Sequence, residues 1–219
     1  MEKYAEKALP RHLRKTVAAT ILEDQISASH PYAALIVPPT AEAVGVYHTN
    51  PKLYYIPNDS AFGKYQQTFA NTMVLFEERP DGDWSDSPHF GNSKNVTSSP
   101  KPLKNLKKDH DNTVDQHFVL KSRMLDMIIA DWDRHEDQWR WAYYENEEGE
   151  LYRPIPRDRD QAMFMNEGIL PKIASRKWAV SKVEGFNNEI RWSPGFNFNA
   201  KYFDRRLFEI NQIENFILH

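Results

Sequence analysis

Apolar residues recur at helical spacing between Arg11 and Ser27, where Val17, Ile21, Leu22 and Ile26 share one face after Pro10. Tyr32 to Val37 is apolar and stops at Pro38-Pro39; Pro39 suits the first turn of a short helix through Val44, which Gly45 ends. Lys52 to Ile56 reads as a strand bounded by prolines, and Phe62 to Ala70 as a helix. Thr72 to Phe76 reads as a buried strand running into Glu77-Glu78-Arg79-Pro80. From Asp81 to Pro102 the composition turns to Asp, Ser, Gly, Asn and Pro, which predicts a long loop or connector. Asp111 to Ile129 is a second helix, with Val114, Phe118, Leu125, Ile128 and Ile129 as its stripe. The aromatic, Asn-rich stretch from Trp178 to Phe208 has no clear period, and Asn199 to Phe216 is expected to be helical.

Between the second helix and Phe164 the pattern changes from helical to alternating. Trp139 to Tyr144 and Leu151 to Pro156 are aromatic and β-prone, and the polar Glu145 to Glu150, with its glycine, reads as the turn of a hairpin. Pairing Tyr144 with about Leu151 and counting back sets Asp137 opposite Asp158 and His135 opposite Asp160. The acidic runs Asp131-Trp132-Asp133-Arg134-His135-Glu136-Asp137-Gln138 and Arg157-Asp158-Arg159-Asp160-Gln161 then meet at the open end. Carboxylates that close repel unless a cation or shared protons compensate, which points to a divalent metal. Trp132, Trp139 and Trp141 are expected to pack in the core, because alternate strand positions face one way.

Composition narrows the function classes more than it identifies one. The chain has 219 residues, 40% hydrophobic and 27% charged, with a net charge of −3, as an ordinary globular protein does. So balanced a charge argues against a dedicated nucleic-acid binder, and the basic Lys101 to Lys108 is expected to be a solvated loop or helix start. Cysteine is absent, which excludes disulfides, thiolate nucleophiles and cysteine zinc sites. No apolar run is long enough to span a membrane, and Met1-Glu2-Lys3-Tyr4 does not open a signal core.

Asp133-Arg134-His135, followed about 25 residues later by Pro-Arg-Asp-x-Asp, resembles the catalytic core of atypical kinases. These are kinases of the spore-coat-protein-H, HipA, secretory-pathway and phosphoinositide-3-kinase-like types, in which Asp-Arg-His replaces the usual His-Arg-Asp. The resemblance implies Mg²⁺ and ATP as cofactors, Asp133 as the base, His135 as a loop-ordering residue, Asp158 as the main metal ligand and Asp160 as a second. It places Gln138 where those kinases carry Asn, with Asp137 as a substitute ligand. It also implies Lys3 as the phosphate-pairing lysine, with Glu23 as its partner, although no glycine-rich loop precedes them. Read from the residues alone, Lys3 is a surface lysine; Glu77 and Glu78 follow a buried strand as a nucleotide-hinge segment would, with solvent exposure as their default role.

A second resemblance covers nearly the whole chain. Asp24 to Ser27, His30 to Leu35, Glu77 to Pro80, the run from Asp131 to Trp141 and the run from Pro154 to Gln161 resemble a region of large Bacteroidetes envelope proteins. That region lies beside a metallophosphoesterase domain and an outer-membrane barrel of the BamA or surface-antigen type. It implies a periplasmic or outer-membrane-associated setting, with a protein or envelope-component acceptor; a cytoplasmic setting is the alternative.

The expected fold is α+β and protein-kinase-like. A partial N-lobe-like region spans 1–80, a connector 81–102, and a mainly helical C-lobe-like region with the acidic hairpin 103–219. A single compact α+β domain competes with it. The expected function is phosphate transfer from Mg-ATP, and the alternative is an inert pseudokinase or interaction segment. From the residues alone, the acidic run is equally a structural salt-bridge network at a helix end. A calcium loop fits worse, because its central glycine is missing.

Overall fold

The computed structural model describes residues 30–147, 149–164, 186 and 207. The expected helices over Arg11 to Ser27 and Asn199 to Phe216, together with Lys3 and Glu23, lie outside them. The described part is mixed α+β. Helix α1 spans Ala33–Ala43, strand β1 Lys52–Ile56, the short helix α2 Gln66–Phe69, and β2 Thr72–Phe76. Strand β3 spans Asn95–Ser98, helix α3 Pro100–Lys108, β4 Thr113–Val114 and helix α4 Gln116–Ile128. The hairpin strands β5 and β6 are Trp139–Glu145 and Glu150–Pro156.

The four-stranded sheet runs β3-β5-β6-β4, antiparallel except that β4 lies parallel to β6. Its central pair has the expected register, with Tyr144 opposite Leu151 and Trp139 opposite Pro156. The turn is closed by Asn146 N–H to Gly149 O at 2.9 Å and by Gly149 N–H to Asn146 Oδ1 at 2.7 Å. Gly149 has no substitute there, because a Cβ would collide with the Asp111 carbonyl.

Alternation divides the sheet into two cores. Trp139, Trp141, Tyr143 and Tyr152 face Val119 of α4, with Leu103 of α3 packed beside them. Ala142 and Ile155 face the other way, onto Phe90 and Val96. A third cluster joins Ala33, Val37 and Ala41 of α1 to Leu125 and Ile129 at the end of α4. Trp141 Nε1 donates to Ser99 Oγ at 3.0 Å, and that hydroxyl donates to the Glu136 carbonyl at 2.8 Å. The floor of the sheet is thereby tied to the loop before β5.

Several elements differ from the pattern expected of them. The apolar run and the Pro39 helix are one helix, which passes through Pro38 and Pro39; Thr40 Oγ bonds back to the Ile36 carbonyl at 3.1 Å. The proposed helix over Phe62 to Ala70 is a 3₁₀ turn from Ser60 to Tyr65, broken at Gly63, and then α2. The stretch expected as a loop from Asp81 to Pro102 contains β3 and the start of α3. Helix α4 begins only at Gln116, because Val114 belongs to β4 and the Asp115 carboxylate accepts from Phe118 N–H at 3.0 Å as its cap. Strand β2 is not buried: it pairs only with β1, and Phe76 is 65% exposed.

Candidate functional site

The site is built from the C-terminus of α4. Ile129 ends the helix and Ala130 takes a left-handed conformation at φ 53°. Ala130 N–H bonds to Met127 O at 3.2 Å and Asp131 N–H to Asp126 O at 2.8 Å, the paired bonds of a Schellman turn. The turn folds Asp131 back beneath the helix end, where it is wholly buried beside Asp126.

Arg134 fills the space between them. Its side chain is fully buried, and all five N–H donors are used. Nε reaches Asp126 Oδ2 at 3.1 Å, and Nη2 reaches Asp126 Oδ1 at 3.4 Å and the Asp131 carboxylate. Nη1 donates to the Gln138 carbonyl at 3.2 Å and the Arg157 carbonyl at 2.8 Å. One guanidinium thus ties the helix end, the first acidic segment and the second into one unit. Arg123 adds a bond to Asp126 Oδ2 at 2.5 Å. Arg159 Nη1 sits 2.7 Å from Asp126 Oδ1, but none of the Arg159 nitrogens makes an aligned hydrogen bond.

The two buried aspartates divide the proton between them unequally. Burial pushes Asp131 up to about 6, against the attraction of Arg134 and with the help of the Asp126 charge. Burial would raise Asp126 as well, but Arg134, Arg159 and Arg123 surround it and hold it below the usual carboxylate range. Arg134 is kept firmly charged against its burial by Asp126 and Asp131, with a smaller contribution from Asp158. Asp131 is therefore the carboxylate that takes the first proton.

The residues expected to carry chemistry lie around this buried unit. The ladder stops at Trp139 and Pro156, so the counted pairs beyond it do not form as strand partners. Arg157 N–H still bonds to Gln138 O at 3.0 Å, but Glu136–Gln138 is a 3₁₀ turn. Asp133 is half-buried, and Gln138 Nε2 approaches its Oδ2 at 3.4 Å. His135 is half-buried, and its carbonyl accepts from Gln138 N–H at 3.1 Å. Asp137 is exposed, while Gln138 is buried and its Oε1 has no hydrogen-bond partner. Asp158 is half-buried at φ 57°, and Asp160 is half-buried beside the Gln161 amide at 3.3 Å. Among the described residues no three His, Asp or Glu side chains form a group placed to hold a metal ion.

Two participants escaped the sequence reading. Asp126 was hidden inside the α4 stripe; the signal was Arg123 three residues before it, on the same face of the helix. Glu77, expected at the surface, accepts from Thr49 Oγ at 2.5 Å, Asp158 N–H at 2.8 Å and Arg157 Nη2 at 3.4 Å. Its neighbour Glu78 accepts from Asn50 N–H at 2.6 Å. A shallow crevice beside them is lined by Val37, His48, Thr49, Glu77, Pro156 and Arg159, among others. No protein-family model, no curated protein and no solved structure matches this chain.

Proposed function

We propose that this chain is an atypical kinase-like domain that binds Mg-ATP and transfers phosphate to a hydroxyl acceptor. The observation that carries the reading is the Gln138 carboxamide. Its nitrogen leans on Asp133, and its oxygen is buried with nothing bonded to it. A buried carbonyl oxygen without a partner is costly, and a hard cation or its water satisfies it. Magnesium takes few protein ligands and completes its shell with water and phosphate oxygens, so a sparse set suits it. Gln138, Asp158 and Asp160 would hold the ion, which when bound supplies charge neutralisation to the phosphates.

The chain's own residues then have separate tasks. Asp133 accepts the proton of the attacking hydroxyl. Arg134, being buried and saturated, reacts with nothing; it holds the Asp133 loop and the Asp158 segment at a fixed separation. Asp158 carries a left-handed backbone, which aspartate tolerates better than most L-residues, and such conformations gather at functional sites. In this reading β1 and β2 belong to a nucleotide-covering lobe, and the sheet with α3 and α4 to the larger one.

A second reading, an inert module of the same architecture, draws on the same network. Asp126, Asp131 and Arg134 are consumed by one another, so much of the acidic motif is spent on structure. Unfolding midpoints with and without Mg-ATP separate the two, since a ligand of the native state raises the midpoint. The parent should shift upward. Asp133→Asn should keep the shift while losing transfer, and Asp158→Asn should lose the shift itself. No shift in the parent, with both variants destabilised equally, leaves only the inert module.

A further inference from the structure

Phosphate transfer as set out above gives no part to Glu77, yet its surroundings do. It follows β2 directly, and its side chain is only 14% exposed. Oε1 takes the Thr49 hydroxyl and the Asp158 N–H, and Oε2 faces Arg157 Nη2. Two of these three donors come from adjacent residues, on either side of the peptide where the chain leaves β6 and turns left-handed. Aspartate enters that conformation more readily than most L-residues, so a bond to its backbone N–H is enough to fix it there. A carboxylate accepting a backbone N–H forms a charge-assisted bond, stronger than one between neutral groups.

We propose that Glu77 is a positioning residue: its carboxylate imposes the left-handed backbone from which the Asp158 side chain departs. Arg134 fixes the same segment one residue earlier, through the Arg157 carbonyl. The segment is therefore held on both sides, by an acceptor from the end of β2 and by a donor from the α4 loop. The consequence for cation binding rests on the phosphotransfer reading; the backbone role does not. A merely structural Glu77 would instead act by anchoring Thr49, with Asp158 incidental.

Amide hydrogen exchange at Asp158 decides between these roles. Glu77→Met keeps the bulk and removes the acceptor, so it should speed exchange of the Asp158 amide at least about tenfold, the loss expected of one hydrogen bond to a charged group. The amides of β5 and β6 should be unaffected. Glu77→Gln retains an acceptor oxygen and should preserve the protection. Thr49→Val removes the other tie to Oε1 and should leave the Asp158 amide unchanged, whatever it does to the midpoint. Equal Asp158 exchange in the parent and Glu77→Met, or an equal response to Thr49→Val, overturns the proposal. In a second arm, the Mg²⁺ concentration that gives half of the ATP-induced thermal shift should rise about tenfold in Glu77→Met. A parent indifferent to Mg-ATP overturns the phosphotransfer reading, while the amide arm still decides the role of Glu77.

Discussion

Asp131→Asn should change how stability depends on pH. The Asp131 carboxyl is wholly buried, and burial, opposed by Arg134 and reinforced by the Asp126 charge, pushes it up to about 6 from an ordinary 3.8. Between those values the folded protein keeps a proton that the unfolded chain has released. The unfolded state then binds fewer protons, so the free energy of unfolding falls as pH rises. The Asp131 contribution is present in full below about pH 4, is lost as pH rises through about 6, and spans about 3 kcal/mol. Asp126 works in the opposite sense and in another window. Burial would raise it, but its three arginines lower it, so its contribution is present above the ordinary carboxylate range and disappears on acidification through its folded value. Asparagine keeps the shape of Asp131 and cannot titrate. The stability of the variant relative to the parent should therefore grow by about 3 kcal/mol from about pH 4 to pH 7, or about 6–12 °C in midpoint for a chain of this size. Urea unfolding of both proteins across that range is the assay, and the difference cancels the carboxylates that do not interact with Asp131. A difference that stays flat, or turns against the variant toward neutral pH, refutes the reasoning. It would mean that the Arg134 pairing outweighs burial and that Asp131 is ionised throughout.

Ala130→Gly should stabilise the protein by about 1 kcal/mol, because glycine occupies the left-handed position of the Schellman turn without the Cβ penalty; a midpoint rise of about 2–4 °C is the expected reading. A drop would mean that the Ala130 methyl packs more favourably than its backbone is strained. Arg134→Met leaves two carboxylates and two carbonyls without their shared donor. Breaking a buried ion pair costs about 3–5 kcal/mol, and orphaning the Arg157 carbonyl about 1–3 more, while the Gln138 carbonyl keeps the Arg157 N–H. The sum is comparable with the whole stability of a domain, so no cooperative unfolding transition should remain at neutral pH. A variant within about 1 kcal/mol of the parent would show that the network does not hold the site together.

What the sequence disclosed and what it hid follow from the range of the forces involved. The hairpin was legible because alternation and turn chemistry are local, so the Tyr144–Leu151 register could be counted. Strand β1 was legible because prolines bound it. Strand β3 was not: Asn95-Val96-Thr97-Ser98 is polar and short, and it is a strand only because Trp141 and Ala142 of β5 lie beside it. Two prolines in succession suggested a boundary near residue 38. The helix continues through them because α1 is held by burial of Ala33, Val37 and Ala41 against α4, which outweighs two missing donors. The exposure of β2 was hidden for the opposite reason, since an apolar run does not say whether anything covers it.

The acidic motif shows where composition stops being informative. Asp131, Asp133 and Asp137 look alike in the sequence, yet one is buried, one half-buried and one exposed. The loop that carries them has no period, so no face can be assigned from spacing. What separates them is Arg134, whose fork can satisfy Asp131 and Asp126 together only if both come inside. Asp126 in turn needs Arg159, 33 residues further along the chain and beyond the whole hairpin. Burying these charges is tolerable only when all the partners arrive together. The arrangement is therefore a property of the closed fold, and no window of the sequence contains it. Asp133 and Gln138 are left at the edge of that unit, where the Gln138 amide nitrogen donates to the half-buried Asp133 carboxylate and the Gln138 oxygen is buried without a hydrogen-bond partner. The sequence marked this motif as one acidic cluster; its physics splits it into a buried scaffold of Asp126, Asp131 and Arg134 that carries the charge balance and a half-buried rim around it.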